Sequence, residues 1–298
     1  DPRAPASPVD ITSAVFRRAP IEAYGTIRNA GRVVWQPQSR GFLITGYADN
    51  AAALRDPRFL APDLTAIWRK LQRKLDRDYL DAIELFSAMP FMHEGREPDR
   101  LRRALAVMVA PFAGGTPEIG VCIDRRVRHI LRAGAFDVAA DFAAHLLFDV
   151  MCEMIRIPES ERGELRPVST MSWALETTLP IARRDRAAAE IHRSRAYLVE
   201  HVSRPAVRAA SPFVAAAYAA LSGEDGQDVG RAVATLVEVM LVMGNDALGA
   251  CVTFPVERLK AVAGTAREVP QSEWETIADD AIRYAAPVDF INRIVRGE

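Results

Sequence analysis

Residues 136–157 read FDVAADFAAHLLFDVMCEMIRI, an apolar stretch with few polar positions. Apolar residues on nearly all sides of a helical pattern indicate a helix buried at the centre of a protein. A second stretch, residues 228–262, predicts the longest helix of the chain, with Gly244 inside it and Pro255 near its end. Together the two stretches predict a protein built around buried helices.

Helical patterns continue on both sides of these stretches. Further helices are predicted at 20–30, 47–56, 62–90, 98–112, 117–133, 159–176, 181–203, 211–222 and 271–285. Runs rich in β-forming residues occur only near the two ends, as a hairpin at 32–36 and 41–45 and as a strand at 288–295. The sequence therefore predicts a mainly α fold with minor β. We expect one domain over 1–298, with a β-containing part at about 1–60, a helical core at about 61–285 and a terminal strand.

The composition is that of a globular chain without a strongly charged partner. The 298 residues are 49% hydrophobic and 26% charged, with a net charge of −1. This balance excludes general disorder and gives no reason to expect nucleic acid as a partner. No apolar run reaches about 18 residues and no leader pattern is visible, so we expect no membrane span and a cytoplasmic location. Arginine clusters at 125–128, 183–186 and 193–195 predict solvated helix faces.

The cysteines and histidines do not form a recognisable metal-binding pattern. Cys122, Cys152 and Cys251 are far apart in the sequence, and none belongs to a zinc-ligand spacing, so we expect no metal site and no disulfide framework. His192 and His201 are predicted to lie on a solvated face, too far apart to share a metal. We also predict that His145, in the apolar stretch 136–157, is a core or pocket residue rather than a ligand. Hydrolase and nucleotide-binding motifs are absent from the sequence.

Several stretches resemble the bacterial cytochromes P450, in the right order and at the right spacing. They are 136–143 with Ile157-Pro158-Glu159 for the D–E helix region, 31–35 and 46–59 for the first strands and B helix, 100–103 with 110–112 for the C helix, Gly244 with Asp246 for the I helix over the haem, and 282–288 for the end of the K helix. The resemblance covers nearly the whole chain. It implies a cytochrome P450-like fold.

The chain also departs from the family at positions that face the haem. In the family, a cysteine in a Gly-rich loop near the C-terminus holds the iron, and here the sequence reaches Glu298 shortly after Arg293, so we expect a C-terminally shortened fold. Pro98 replaces the usual C-helix His or Trp, Ala247 replaces the I-helix threonine, and Asp280 replaces the K-helix glutamate. These departures predict a haem-free relative that needs no cofactor. The alternative is a haem enzyme of which this chain is the first part.

Asp246 is the candidate catalytic residue, with Asn245 beside it in the same cavity. Burial raises the pKa of a carboxyl group and suits it to acid–base catalysis. The alternative is that Asp246 hydrogen-bonds a carbonyl group or a water at the break in the helix at Gly244. Glu238, two turns earlier on the same face, is predicted to make a packed polar contact.

The resemblance implies roles for four further charged residues. Arg102 and Arg293 would contact the haem propionates if haem binds, because arginine pairs strongly with carboxylates; otherwise they make salt bridges. Asp280 is expected to keep a charge partner for Arg283.

An apolar pocket is predicted from the regions that shape it in the family. Its candidate lining residues are Trp68, Phe86, Met89, Phe91, Met92, Trp173, Leu179, Met243, Gly244 and Ala247. These residues indicate an apolar small-molecule ligand, and the alternative for all of them is ordinary core packing.

Three classes of function remain open at this point. The first is an auxiliary protein of bacterial secondary metabolism that activates a partner biosynthetic enzyme such as a glycosyltransferase, which the resemblance implies for some haem-free relatives. The second is a non-oxidative cyclase or isomerase that uses the old substrate pocket. The third is a true monooxygenase, which needs haem.

Overall fold

A computed structural model of the chain describes residues 4–63, 65–89, 96–110, 115–175, 179–222, 228–263, 270–285 and 291–295. This part is mainly helical with two small antiparallel sheets, which confirms the predicted fold class. The chain divides into two compact units, Asp1–Leu60 with Arg293–Glu298, and Ala61–Asn292. The division falls where the β-containing part was expected to end, and the assignment of both units to a single domain stays a prediction.

The smaller unit contains the sheets. Its elements are α1 (Ala14–Arg18), α2 (Pro20–Ala30), β1 (Val33–Gln36), β2 (Gly41–Ile44), α3 (Tyr47–Ala53), β3 (Phe59–Leu60) and β4 (Ile294–Val295). Strands β1 and β2 form the predicted hairpin, with Val33 opposite Ile44, and β3 pairs with β4. The sequence patterns did not predict α1 or β3, because elements of five and two residues are too short to show a periodicity.

The larger unit is built from helices. They are α4 (Ala66–Leu75), α5 (Leu80–Ser87), α6 (Arg96–Val109), α7 (Pro117–Ala133), α8 (Ala144–Met154), α9 (Arg166–Ser169), α10 (Ile181–Ser203), α11 (Pro205–Ala210), α12 (Pro212–Leu221), α13 (Val229–Ala263) and α14 (Trp274–Ala285). Helices α7 and α10 have the predicted ends. Proline fits the first turn of a helix, where its missing N–H costs little, and Thr116 caps α7 by accepting a hydrogen bond from the Ile119 amide.

Three predicted helices differ in the structure. The stretch 62–90 forms two helices because α4 ends at Asp76, whose φ of 50° is left-handed. The stretch 159–176 forms 3₁₀ turns on either side of the single turn of α9. The stretch 136–157 begins as a π-helix at Val138–Ala143 before α8, and Asp137 caps this π-helix through the Ala139 and Ala140 amides. π-Helical turns are rare, so periodicity does not predict them.

Helix α13 is the centre of the larger unit. It packs against α5, α8, α9, α10, α12, α14 and the π-helix. Its first half is almost fully buried, with Val233, Leu236, Val237 and Leu241 all in the core. In the part of the chain that the structure describes, no helix is both long and apolar enough to cross a bilayer.

Candidate functional site

Two of the aromatic residues predicted to line the pocket pack against each other in the core. Trp68 of α4 and Phe86 of α5 are each 1% exposed, and their ring centroids are 5.4 Å apart. The Tyr79 ring meets Trp68 edge-on at 5.2 Å, and the guanidinium of Arg184 lies 4.9 Å from the Trp68 ring centroid. Met89 is also fully buried. These contacts show core packing at Trp68, Phe86 and Met89, and their role as pocket lining stays a prediction.

Two more of the predicted pocket residues lie before α10 and contact arginines in its first turn. Leu179 is buried, and its carbonyl accepts a hydrogen bond from Arg184 Nε at 3.2 Å. Trp173 is half-buried, with the guanidinium of Arg183 4.5 Å from its ring centroid. Arg184 therefore contacts two of the predicted pocket residues, Trp68 and Leu179, at once.

Tyr79 connects this aromatic cluster to α10. Its hydroxyl donates a hydrogen bond to Asp185 Oδ1 at 2.5 Å. Burial raises the pKa of Tyr79 to about 12, and the bond to Asp185 adds to the rise. Ionisation of the phenol would place a second negative charge beside Asp185, so the side chain is neutral at physiological pH.

The middle of α13 carries the candidate catalytic position. Met243 and Gly244 are half-buried there. A Cβ atom on Gly244 would lie 2.5 Å from Leu147 Cδ2 of α8, so this glycine allows the two helices to approach closely. The side chains of Asn245, Asp246 and Ala247 lie outside the described part, as do Phe91 and Met92. The roles assigned to all of these residues stay predictions.

The four charged residues implied by the family lie in three places. Arg102 is half-buried on α6 in the larger unit, and Arg293 is half-buried just before β4 in the smaller unit; both take part in polar or electrostatic contacts. Asp280 Oδ1 accepts a hydrogen bond from Arg283 Nη2 at 2.5 Å within α14, and this pair is exposed. The pairing keeps a charge partner for Arg283. The haem-related roles of Arg102 and Arg293 stay predictions.

A fully buried ion pair joins α10 to α13. Arg195 is 1% exposed and Glu238 is 0% exposed. Arg195 Nε donates to Glu238 Oε2 at 2.7 Å, and Ser194 Oγ donates to Glu238 Oε1 at 2.5 Å. Burial raises the pKa of Glu238, while Arg195 and Ser194 oppose the rise. The predicted packed polar contact of Glu238 is confirmed.

This pair continues into a cluster that reaches the surface. Arg195 Nη1 donates to Glu84 Oε2 of α5 at 2.9 Å, and Arg231 Nε of α13 donates to the same oxygen at 2.9 Å. Arg231 also pairs with Asp81, which in turn contacts the exposed ring of His192 at 2.6 Å. The cluster thus connects α5, α10 and α13 through charged groups.

The prediction that the arginine clusters and histidines of 181–203 are all solvated was wrong at three positions. Arg184, Arg195 and His201 are each 1% exposed. His201 Nε2 lies 2.8 Å from the Ile155 carbonyl, which can only accept a hydrogen bond, so this nitrogen donates. The sequence did carry one signal, because Arg195 stands between the buried Ile191 and Leu198 at helical spacing.

A second charged cluster holds α7 and α8 to the 3₁₀ turn at Glu159–Glu164. Asp149 is buried on α8 and pairs with Arg126 of α7. Glu153 of α8 accepts from Arg125 at 3.0 Å and from Arg162 at 2.8 Å. Nothing in the sequence pattern predicted this cluster, because its members come from three separate segments.

The smaller unit has a surface cleft of about 400 Å³. Its lining residues are Arg32, Val33, Ile44, Asp49, Ala52, Ala53, Asp56 and Phe59. At its rim, Arg32 Nε donates to Asp49 Oδ2 at 2.9 Å, so the two charges neutralise each other. Across the described residues of both units, no group of His, Cys, Asp and Glu is arranged to hold a metal ion.

Comparison with solved structures identifies the architecture. The structure of P450BioI with a fatty-acid-ligated acyl carrier protein matches with a TM-score of 0.72 at 18% identity, over 92% of this chain and 70% of that one. CalO2 matches with a TM-score of 0.70 at 20% identity, over 94% and 70%. The fold is that of a cytochrome P450. A structure from work on unusual cytochrome P450-like monooxygenases of microbial secondary metabolism matches with a TM-score of 0.59 at 17% identity, over 85% and 64%.

Sequence comparison also finds two curated relatives. Protein AknT of Streptomyces galilaeus is 26% identical over 291 residues, which cover 90% of this chain and 63% of AknT. Vitamin D(3) 25-hydroxylase of Pseudonocardia autotrophica is 23% identical over 295 residues, which cover 94% and 69%. No family model matches the chain. The chain thus spans about two thirds of the length of these curated relatives.

The cytochrome P450 fold implies a haem, which a cysteine thiolate ligates. Cys122 and Cys152 do not fit that role, because both are buried in helices and burial raises the pKa of both thiols, that of Cys152 to about 12. A protonated thiol is a poor metal ligand. Cys251 is half-buried on α13, the helix that in the family passes over the haem rather than holding its iron. The cysteines present do not fit a haem-thiolate site.

Proposed function

We propose that this chain works as a haem-independent auxiliary protein that binds and activates a partner enzyme of bacterial secondary metabolism. The observation that carries the proposal is the core packing of two residues expected to line a substrate pocket. Trp68 packs against Phe86 and against the guanidinium of Arg184. A catalytic pocket needs an open volume with a few convergent polar groups, and core packing at Trp68 and Phe86 supports a role that does not depend on such a pocket.

Haem independence is supported by residues of three haem-facing elements. Pro98, Ala247 and Asp280 differ from the residues that the family uses in its C, I and K helices. Retention of Arg102 and Arg293 is compatible with descent from a haem-binding protein.

The charged clusters support a role that depends on a fixed shape. Glu238, Arg195 and Glu84 join three helices through short ionic hydrogen bonds, and Asp149 with Glu153 joins a further set. A protein that activates a partner by contact gains affinity when its surface is already rigid, because less conformational entropy is lost on binding. The structures that match this chain include one described as coming from microbial secondary metabolism, which supports the metabolic setting.

The partner role can be tested with two purified proteins. We would measure the rate of a glycosyltransferase encoded in the same gene cluster, alone and with increasing amounts of this chain. The proposal expects a severalfold, saturable rise in the rate, together with co-elution of the two proteins. An unrelated haem-containing cytochrome P450 serves as the control, and it should leave the rate unchanged. No rise and no complex with any glycosyltransferase of the cluster would contradict the proposal.

Haem independence has its own experiment. Purified chain, expressed with ample haem precursor, is expected to show no carbon monoxide difference band of thiolate-ligated haem after reduction. It should also activate the partner fully without added haem. Appearance of that band would favour the monooxygenase, for which a hydroxylase among the relatives is the precedent. The two experiments fail separately, since a haem-free protein need not activate a transferase.

A further inference from the structure

His145 of α8 and Arg166 of α9 are in direct contact. His145 Nδ1 lies 2.5 Å from Arg166 Nη1, and the same guanidinium lies 4.4 Å from the centroid of the buried Phe148 ring. A guanidinium only donates hydrogen bonds, so Nδ1 must be the acceptor. The contact therefore exists only while the imidazole is neutral, with its proton on Nε2.

We propose that the His145–Arg166 contact is an acid-sensitive latch that holds α9 against α8. A proton on Nδ1 removes the acceptor and creates an imidazolium beside a guanidinium. Two cations at hydrogen-bond distance repel each other. Acidification then breaks the hydrogen bond between Arg166 and His145, and the Phe148 ring, also on α8, remains as the only described partner of the guanidinium.

The surroundings of His145 favour its neutral form. Burial and the charges of Arg166 and Arg126 lower the pKa of His145, while Asp149 and Asp141 oppose them. Asp149 is engaged by Arg126 of α7. The Asp141 carboxylate accepts a hydrogen bond from the Asp137 amide in the π-helix. Neither carboxylate is hydrogen-bonded to the imidazole. A protonated His145 would therefore have no hydrogen-bonded anion to stabilise its charge.

Helix α13 packs against both α8 and α9, so its charged groups also matter. The described charged side chains of its first half are Arg231 and Glu238. Arg231 hydrogen-bonds Glu84 of α5, and Glu238 hydrogen-bonds Arg195 of α10. Because each residue already has these partners, neither replaces Arg166 as the partner of His145.

Opening of the latch has a local consequence. Helix α9 covers four residues, and its Val168 and Ser169 are buried. A helix of one turn has little stability of its own and depends on tertiary contacts. Helix α9 also packs against α10 and α13, so loss of the His145 hydrogen bond should increase local opening of α9 while the longer helices stay folded. The segment that follows contains Trp173 and Leu179, so the same opening would loosen the residues around the predicted pocket.

The test is hydrogen exchange of the segment 165–171, followed by mass spectrometry. We would compare wild-type protein with His145→Gln at about pH 7.5 and about pH 5, after correction for intrinsic exchange rates. Glutamine can accept from Arg166 and does not titrate. Wild-type protein should exchange severalfold faster at the lower pH in this segment, and the variant should show no such change. His192→Gln, a second histidine that contacts a different cluster through Asp81, is the matched control and should behave as wild type.

Two results would overturn the latch. One is an acid response at 165–171 that persists in His145→Gln, because the response would then come from another group. The other is an absence of any acid response in wild-type protein. If His145→Gln does not fold, nitrogen NMR of His145 in wild-type protein decides: Nδ1 must be unprotonated at neutral pH, and it must gain its proton below the ordinary range of histidine.

Discussion

The two halves of α13 differ in amino-acid composition. Residues 229–242 are large and apolar apart from a few charged and hydroxyl side chains, and Glu238 ties them to α10 at the centre of the unit. Residues 243–263 contain Gly244, Gly249 and Pro255, and their described positions are half-buried or exposed. The first half is a scaffold that fixes the helix. The second half contains Gly244 and Asp246, which the resemblance places over the haem. Its glycines and its proline have low helix propensity.

The weakness of the second half has identifiable causes. Pro255 has no N–H and cannot complete the helical hydrogen bond to the Cys251 carbonyl. Thr253 Oγ1 donates to the Gly249 carbonyl at 2.8 Å, but Thr235 makes the same kind of bond to the Arg231 carbonyl in the first half, so this bond does not distinguish the two halves. Gly249 has no atom within 4 Å of the place where a Cβ would be. The difference between the halves therefore follows from a few residues, and substitutions can test each of them.

The largest expected loss of stability comes from a substitution in the first half of α13. Glu238→Gln removes the fully buried one of the two carboxylates that hydrogen-bond Arg195, and a guanidinium cannot lose its proton to escape the cost of burial. The unfolding free energy, measured with urea at neutral pH, should fall by about 3–5 kcal/mol. The double variant Arg195→Met with Glu238→Leu should recover most of that loss. A single variant as stable as the wild type would show that the pair does not anchor α13.

The next prediction concerns Gly244, close to the point where the two halves of α13 meet. Gly244→Ala places a methyl group 2.5 Å from Leu147 Cδ2, and because the end of this side chain can shift, the expected cost is about 1 kcal/mol of unfolding free energy, the low end of overpacking. Gly249→Ala is the matched control, because that position is open and the same change in a helix stabilises by about 0.5–1 kcal/mol. Adding Leu147→Ala should relieve the Gly244→Ala strain. Equal effects at both glycines would contradict the close crossing of α8 and α13.

The sequence predicted much of this arrangement, but not its anchors. Residue patterns gave α10 and α13 nearly to their ends, since prolines and apolar periodicity act locally. They missed the break at Asp76, because its left-handed conformation has no signature in periodicity. They also missed the burial of Arg195, whose partner Glu238 is 43 residues away in the chain. The pocket prediction for Trp68 and Phe86 came from the resemblance, which carries positions but does not predict the contacts with Tyr79 and Arg184.

A smaller effect concerns the aromatic cluster. Because burial raises the pKa of Tyr79 from 10.0 to about 12, folding favours the neutral phenol. The stability that this gives is present below the unfolded value of 10.0 and is lost as the pH rises from there to about 12. Tyr79→Phe removes the bond to Asp185 and should cost about 0.5–1.5 kcal/mol at neutral pH. Ultraviolet titration of wild type against the variant should assign one late-ionising phenol to Tyr79.

The smallest expected effect is at Asp246 in the second half of α13. If the chain acts only through contact with a partner, Asp246→Asn keeps the size of the side chain and should leave activation of the glycosyltransferase unchanged. If Asp246 is the acid or base of a cyclase or isomerase, the same variant should lose about 10²–10⁴-fold in turnover, the usual contribution of such a group. Activation and turnover are therefore measured on the same variant preparation, with urea unfolding as the check on folding. Since the scaffold half anchors α13 independently of Asp246, a loss of turnover at full stability would assign chemistry to the second half.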